Sequence, residues 1–159
     1  MTETNTALKE LQQAIDATRG GRYFEALRIF VRVYKSGKED APAMDRTKYV
    51  EGLSFYGVAL AMAEKKYKPA IEFCRKAVDL QFYNGEHFVN LARVYLAAGM
   101  RKKAIETLDS AIQSLPEDAP LRRYRREIGV RSRPAIPFLS RDNPLNVAIG
   151  RARHKKKSS

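Results

Sequence analysis

Hydrophobic side chains recur every three to four residues through most of residues 7–115. This spacing places them along one side of an α-helix, and no useful stretch shows the period of two that is typical of a half-buried strand. Glycine and proline fall mainly between these segments, where they end helices or form turns. The pattern therefore predicts an all-α fold, with helices whose apolar stripes lie within residues 8–15, 23–33, 49–60, 67–78, 88–95 and 104–112.

The connections between the predicted helices indicate how the helices pair. Short isolated helices are only marginally stable in water, so these must pack against partners. The joining segments at Gly20-Gly21, residues 64–66 and residues 99–102 are short, and short connections make consecutive helices antiparallel neighbours. We therefore expect helical hairpins rather than independent helices.

An internal repeat relates these hairpins to one another. Ala70 and Ala104 are separated by 34 residues, and so are Ala77 and Ala111. A period of this length in a two-helix unit is typical of a solenoid, in which stacked units share one continuous core. Stacking with a small rotation lines a concave surface with the first helix of each unit.

The third unit resembles a tetratricopeptide repeat throughout. A large aromatic residue, a pair of one large and one small residue, a turn glycine and two small residues follow one another in the order that is typical of that family. The matching residues are Phe88, Leu91, Ala92, Tyr95, Gly99, Ala104, Ala111 and Pro116. The second unit matches less regularly, and the first matches well only from Gly21 to Val33. The resemblance implies an α-solenoid of about three repeats, at residues 7–38, 49–82 and 85–118, whose groove binds a segment of another protein.

The repeat frame also predicts which side chains face this groove. Asparagine and arginine there would suit hydrogen bonds to a peptide backbone or an acidic side chain, and the alternative is simple exposure to solvent. The predicted groove residues are Phe55, Tyr56, Ala59, Glu86, Val89, Asn90 and Arg93, with Leu8, Gln12 and Ile15 in the first repeat.

The end of the chain differs in composition from the repeats. Asp118 is a good N-cap for a seventh, capping helix, and Gly129 is a good stop, so we expect a repeat domain over residues 1–129 and a tail over residues 130–159. The chain has a formal net charge of +12, and residues 116–159 carry 12 basic against 4 acidic side chains. A surface this basic attracts anionic partners.

Several interpretations of the basic residues stay open. The arginines of the capping helix form either a solvated face or an anion-binding strip. The tail is either flexible, or packs residues 136–139 into its own groove or that of a second copy, or binds a nucleic-acid backbone or an anionic membrane. The candidate anion-binding residues are Arg122, Arg123, Arg125, Arg126, Arg151, Arg153, Lys155, Lys156 and Lys157.

The sequence carries no pattern that indicates catalysis. The single cysteine, Cys74, excludes an intramolecular disulfide and is expected to be a packed apolar residue, whereas His87 is expected at the surface. No histidines or cysteines have metal-ligand spacing, so we expect neither an enzyme nor a cofactor. No run of about 18 apolar residues and no apolar leader occurs, which predicts a cytoplasmic protein.

The leading functional hypothesis from the sequence is therefore a non-enzymatic adaptor or chaperone-like scaffold that binds a partner peptide. The alternative is a nucleic-acid or ribosome-associated protein that docks through its basic C-terminal region.

Overall fold

A computed structural model of the chain describes residues 2–35, 46–129, 143–145 and 147–149. Seven α-helices account for most of the first two ranges, and no strand occurs in the described residues. The helices are α1 (Thr2–Arg19), α2 (Tyr23–Lys35), α3 (Arg46–Glu64), α4 (Tyr67–Leu80), α5 (Gly85–Ala97), α6 (Arg101–Ser114) and α7 (Ala119–Ile128). The predicted all-α fold is confirmed.

The helices pack as a stack of hairpins. Contacts join α1 to α2, α3 to α4 and α5 to α6, and further contacts of α3 with α1, α2 and α5, and of α4 with α5, hold neighbouring hairpins together. Because each hairpin buries one face against the next, the three share a continuous interior. This is the helical-repeat solenoid that the period of 34 residues predicts.

The turn within each of the three hairpins contains one residue with a left-handed backbone conformation. Gly21 and Gly99 both have φ 75°, and Lys65 takes a similar left-handed conformation with φ 56° at the corresponding place. After α5, the amide of Met100 donates to the carbonyl of Tyr95 at 2.8 Å. Such bonds satisfy the last helical carbonyls, and glycine adopts the required φ without steric cost.

Close contact between helices depends on small residues. Ala70, Ala77 and Ala104 are fully buried, as the repeat pattern requires. Gly57 of α3 faces α4, where a β-carbon would lie 2.6 Å from the Cys74 Sγ and 2.7 Å from the Ala70 carbonyl oxygen. Only glycine therefore lets these two helices approach so closely.

The central helix α3 is buried almost all round, because α1, α2, α4 and α5 pack on its different sides. On the side facing the second helices of the hairpins, the Tyr56 ring stacks on Tyr34 and packs at a tilt against Phe30 and Phe73, with ring centroids 4.7 to 5.6 Å apart. Aromatic contacts of this kind add to the burial of apolar surface.

The chain divides into two compact units, Met1–Glu127 and Ile128–Ser159. In the second unit, the Asn143 side chain accepts a hydrogen bond from the Leu145 amide at 3.0 Å and begins a short helical segment. Residues 136–139 and 151–157, for which the sequence suggests packing or anion binding, lie outside the described residues.

Candidate functional site

A cavity of about 850 Å³ lies between the first half of α5 and the capping helix α7. Its position corresponds to the concave face, since both are expected to be lining helices of the solenoid. The side chains that define it are Glu86, Val89, Asp118, Arg123, Tyr124 and Glu127.

The starts of α5 and α7 are fixed beside each other by local capping. Asn84 accepts a hydrogen bond from the Glu86 amide at 3.1 Å, and Asp118 accepts one from the Leu121 amide at 2.8 Å, which confirms Asp118 as the predicted N-cap. A β-carbon on Gly85 would collide with the Asp118 carboxylate. The absence of a side chain at Gly85 therefore lets α7 begin against α5.

One arginine from the first hairpin contacts a residue that lines this cavity. The Arg19 Nη2 donates to both carboxylate oxygens of Glu86 at 3.0 Å, and lies 3.4 Å from a Glu51 carboxylate oxygen. Its guanidinium also covers the Phe55 ring, 4.8 Å from the centroid. A single side chain at the end of α1 therefore contacts both α3 and α5.

A second contact crosses the concave face near Tyr124. Arg93 of α5 donates to the Tyr23 hydroxyl at 3.4 Å. Burial raises the pKa of the Tyr124 phenol, and the positive charge of Arg93 opposes this rise. Tyr23, Arg93 and Tyr124 are thus electrostatic neighbours, and the first hairpin comes close to the third unit of the array.

The structure divides the predicted groove residues into two groups. Glu86 and Val89 line the cavity, and Arg93 is half-buried and bonded to Tyr23. Of the other predicted members, four are buried, which corrects the sequence prediction for them, and three are half-buried, so their place in the groove stays a prediction. Phe55, Ala59, Asn90 and, in the first repeat, Ile15 are buried; Tyr56 packs among aromatic rings, and Leu8 and Gln12 are half-buried.

For Phe55 and Ala59, the physical reason for this correction is that other helices pack on nearly every side of α3. Arg19 covers Phe55, while Asn90 uses its side-chain amide to donate to the Ser54 Oγ at 3.1 Å. A repeat frame assigns one face of each first helix to the groove, but on α3 the Phe55 ring at this face is covered by Arg19 of the first hairpin.

His87 is also buried, so its predicted surface position is wrong. Its Nδ1 lies 3.0 Å from the Ser54 Oγ, and its Nε2 lies 3.0 Å from the Gln81 Oε1. The Gln81 amide in turn donates to the Thr47 carbonyl at 3.4 Å. Burial lowers the pKa of His87 to about 4, opposed by nearby Glu51, so the ring is neutral at neutral pH.

The arginines of α7 differ in their partners. Arg125 forms a two-pronged contact with Asp109 at 2.6 and 3.2 Å, and Arg123 bonds Glu127 at 2.9 Å. Arg122 and Arg126 are exposed and have no acidic partner among the residues that the structure describes. The remaining candidate anion-binding residues, at positions 151–157, fall outside that part of the chain.

Cys74 is buried as predicted, and its thiol donates to the Ser54 carbonyl at 3.3 Å. Burial raises the pKa of the thiol to about 12, so it is protonated and unreactive at neutral pH. Within the described ranges, no group of three or more His, Cys, Asp or Glu side chains is arranged to hold a metal ion. None of the helices in those ranges is long and apolar enough to cross a membrane.

The groove predicted from the sequence omits Asp118 and Glu127, which line the cavity, and Arg19, which contacts Glu86. Arg19 ends α1 and meets Glu86, which is 67 positions away, and no local signal in the sequence indicates that contact. Tyr124 is also absent from the predicted groove, although an aromatic residue on the capping helix is a signal that the sequence offers.

Comparison with known families agrees with the geometry. A family model described as tetratricopeptide repeat matches residues 61–127, from the end of α3 through α7. No curated protein shows significant similarity to the chain. The match covers the region in which the repeat pattern is most regular, and the resemblance found in the sequence is confirmed there.

Proposed function

Because this chain contains tetratricopeptide repeats, which generally mediate protein–protein interaction, we propose that it is a non-enzymatic adaptor or chaperone-like scaffold. In this proposal, the cavity between α5 and α7 binds a segment of a partner protein. The observation that supports it is the position of this cavity on the expected concave face, with a size of about 850 Å³. Ligand sites in proteins are commonly of this size.

The lining of the cavity defines what it would accept. Val89, Pro120 and Tyr124 offer apolar surface, while Glu86, Glu127 and Arg123 place charges of both signs around it. Glu86 is bonded to Arg19 and Glu127 to Arg123, so these four charges neutralise one another in pairs. An apolar side chain of the partner would therefore supply most of the binding energy, and the border would orient the partner's backbone.

A pair of matched variants tests this proposal. Val89→Gln places a polar group in the cavity, whereas Val78→Gln makes the same change at a half-buried site on α4 outside it. We expect Val89→Gln to lose partners that both the unaltered protein and Val78→Gln capture from cell extract. A partner set unchanged by Val89→Gln, with the fold preserved by circular dichroism, would contradict the proposal.

The second candidate function is docking on nucleic acid or a ribosome through the basic tail. It is favoured by the charge of residues 116–159, which carry 12 basic and 4 acidic side chains. Clustered lysines and arginines release counterions from phosphates, so binding would weaken steeply as salt is raised. Removal of residues 130–159 should abolish retention on RNA, and retention after the deletion would exclude this candidate.

A further inference from the structure

A second cleft, of about 460 Å³, lies between α6 and α7. Ile112 and Ala119 contribute aliphatic surface to it, and Arg122, Arg125 and Arg126 supply its charge. It differs in its lining from the cavity between α5 and α7, although Ala119 and Arg126 border both. We propose that this cleft is a docking site for an acidic, aliphatic segment of another polypeptide.

The charges of the cleft are not balanced from within. Asp109 is bonded to Arg125, which leaves Arg122 and Arg126 without an acidic partner in the described part of the chain. These two arginines are four positions apart on one helix, where like charges are mildly destabilising. The helix dipole favours basic residues in the last turn, which accounts for Arg125 and Arg126 but not for Arg122.

The contact between Arg125 and Asp109 shows how the free arginines would hold a ligand. Two nitrogens of one guanidinium meet the two oxygens of one carboxylate, and this forked geometry is among the stronger charge-assisted contacts. Side chains four apart on a helix are about 6 Å from each other. Two carboxylates at alternate positions of an extended chain, about 7 Å apart, would fit Arg122 and Arg126 together.

The aliphatic lining favours a polypeptide over a nucleic acid. Proteins that bind single-stranded nucleic acid usually stack bases on aromatic rings, and no aromatic side chain is among the described residues that line this cleft. Ile112 is half-buried, so it offers a leucine or isoleucine of a ligand an apolar contact between the arginines. The combination suits alternating acidic and aliphatic residues.

The test uses the full chain and two labelled probes, a short peptide of alternating Glu and Leu and a single-stranded RNA, with binding measured by fluorescence anisotropy. Arg122→Gln/Arg126→Gln removes two charges from the cleft. Arg75→Gln/Lys76→Gln removes two exposed charges from α4 and is the matched control. We expect the cleft variant to weaken peptide binding by about tenfold or more, because it removes both charge-assisted contacts, and the control to leave it unchanged.

A third variant and a third probe separate the cleft from general charge attraction. Ile112→Thr should weaken binding of the Glu-Leu peptide but not of a Glu-Gly peptide, since only the former has a side chain for the aliphatic surface. Equal losses in the two double variants, no binding of the Glu-Leu peptide by the unaltered chain, or a loss in the cleft variant confined to RNA would each overturn the proposal.

Discussion

At the scale of single residues, Ser54 is the point at which three helices meet. Its hydroxyl donates to the Glu51 carbonyl within α3, accepts from Asn90 and contacts His87, both on α5. Its carbonyl accepts from the Cys74 thiol of α4. Buried polar groups are stable only when they are paired, so these hydrogen bonds fix the register between α3 and its neighbours.

Removal of the Ser54 hydroxyl is therefore expected to destabilise the fold. Ser54→Ala leaves the Asn90 amide and the His87 Nδ1 buried without this partner, and the free energy of unfolding should fall by about 1–3 kcal/mol. Ser114→Ala, which removes an exposed hydroxyl bonded to the Ser110 carbonyl, is the control and should change it little. Urea unfolding followed by circular dichroism measures both. Equal free energies of unfolding for the two variants would contradict a stabilising role for the hydrogen bonds of Ser54.

The buried ring of His87 predicts a dependence of stability on pH. The pKa of His87 lies near 4 in the folded protein and near 6.5 when the ring is exposed. Between these values the unfolded chain binds a proton that the folded protein does not, so stability falls as the pH is lowered through this window and is fully present above it. The loss attributable to His87 should reach at most about 3 kcal/mol.

His87→Gln tests this origin of the pH dependence. The variant removes the titrating group, so the fall in stability between pH 6.5 and 4 should become shallower. Urea unfolding at several pH values gives the slope for both proteins. A slope that the substitution does not change would show that other groups dominate in this range.

The surface position predicted for His87 fails for a physical reason. The repeat frame fixes the aromatic and small residues that each hairpin buries internally, but His87 bonds Ser54, which belongs to the preceding repeat and lies 33 positions away. Polar contacts between repeats depend on the curvature of the array, which the period alone does not determine. The burial of Cys74, by contrast, depends on packing within one hairpin, and the sequence predicts it correctly.

At the scale of helices, the sequence predicts most boundaries because local chemistry determines them. Gly21, Gly99 and Gly129 all have positive φ at the ends of helices, and Asp118 caps α7. The groove prediction was wrong instead at α3, where six consecutive residues from Val58 to Ala63 are apolar. A helix that is apolar on nearly every side is buried on nearly every side, so α3 offers little surface to a partner.

The contact between α3 and α4 gives a prediction at this scale. Gly57→Ala would place a β-carbon 2.7 Å from the Ala70 carbonyl oxygen, and backbone cannot yield as a flexible side chain can. Separation of the helices should lower the free energy of unfolding by about 1–3 kcal/mol. Gly20→Ala is the control, since its closest contact is the flexible end of Arg22. Thermal unfolding measures both, and a variant at Gly57 as stable as the control would refute this account.

At the scale of the whole array, contacts between the first hairpin and α5 are the feature that the sequence least reveals. Arg19 bonds Glu86 and Arg93 bonds Tyr23, and each pair is separated by roughly two repeat lengths. Both contacts lie beside the cavity between α5 and α7 or close to it. These two contacts therefore join the first hairpin to α5 on the side where the proposed partner would bind.

A double-mutant cycle on Arg19 and Glu86 tests whether this ion pair stabilises the fold. The Arg19 side chain is 44% exposed, so solvent weakens the pair, and the coupling between Arg19→Gln and Glu86→Gln should be about 0.3–1 kcal/mol at low salt and smaller at high salt. The pair Arg32 and Glu10 lies within the first hairpin and provides a matched exposed pair for comparison. If the curvature depends on Arg19, then Arg19→Gln should also increase the radius of gyration in solution scattering, whereas Arg32→Gln should not. Zero coupling at low salt together with an unchanged radius would mean that the array keeps its curvature through helix packing alone.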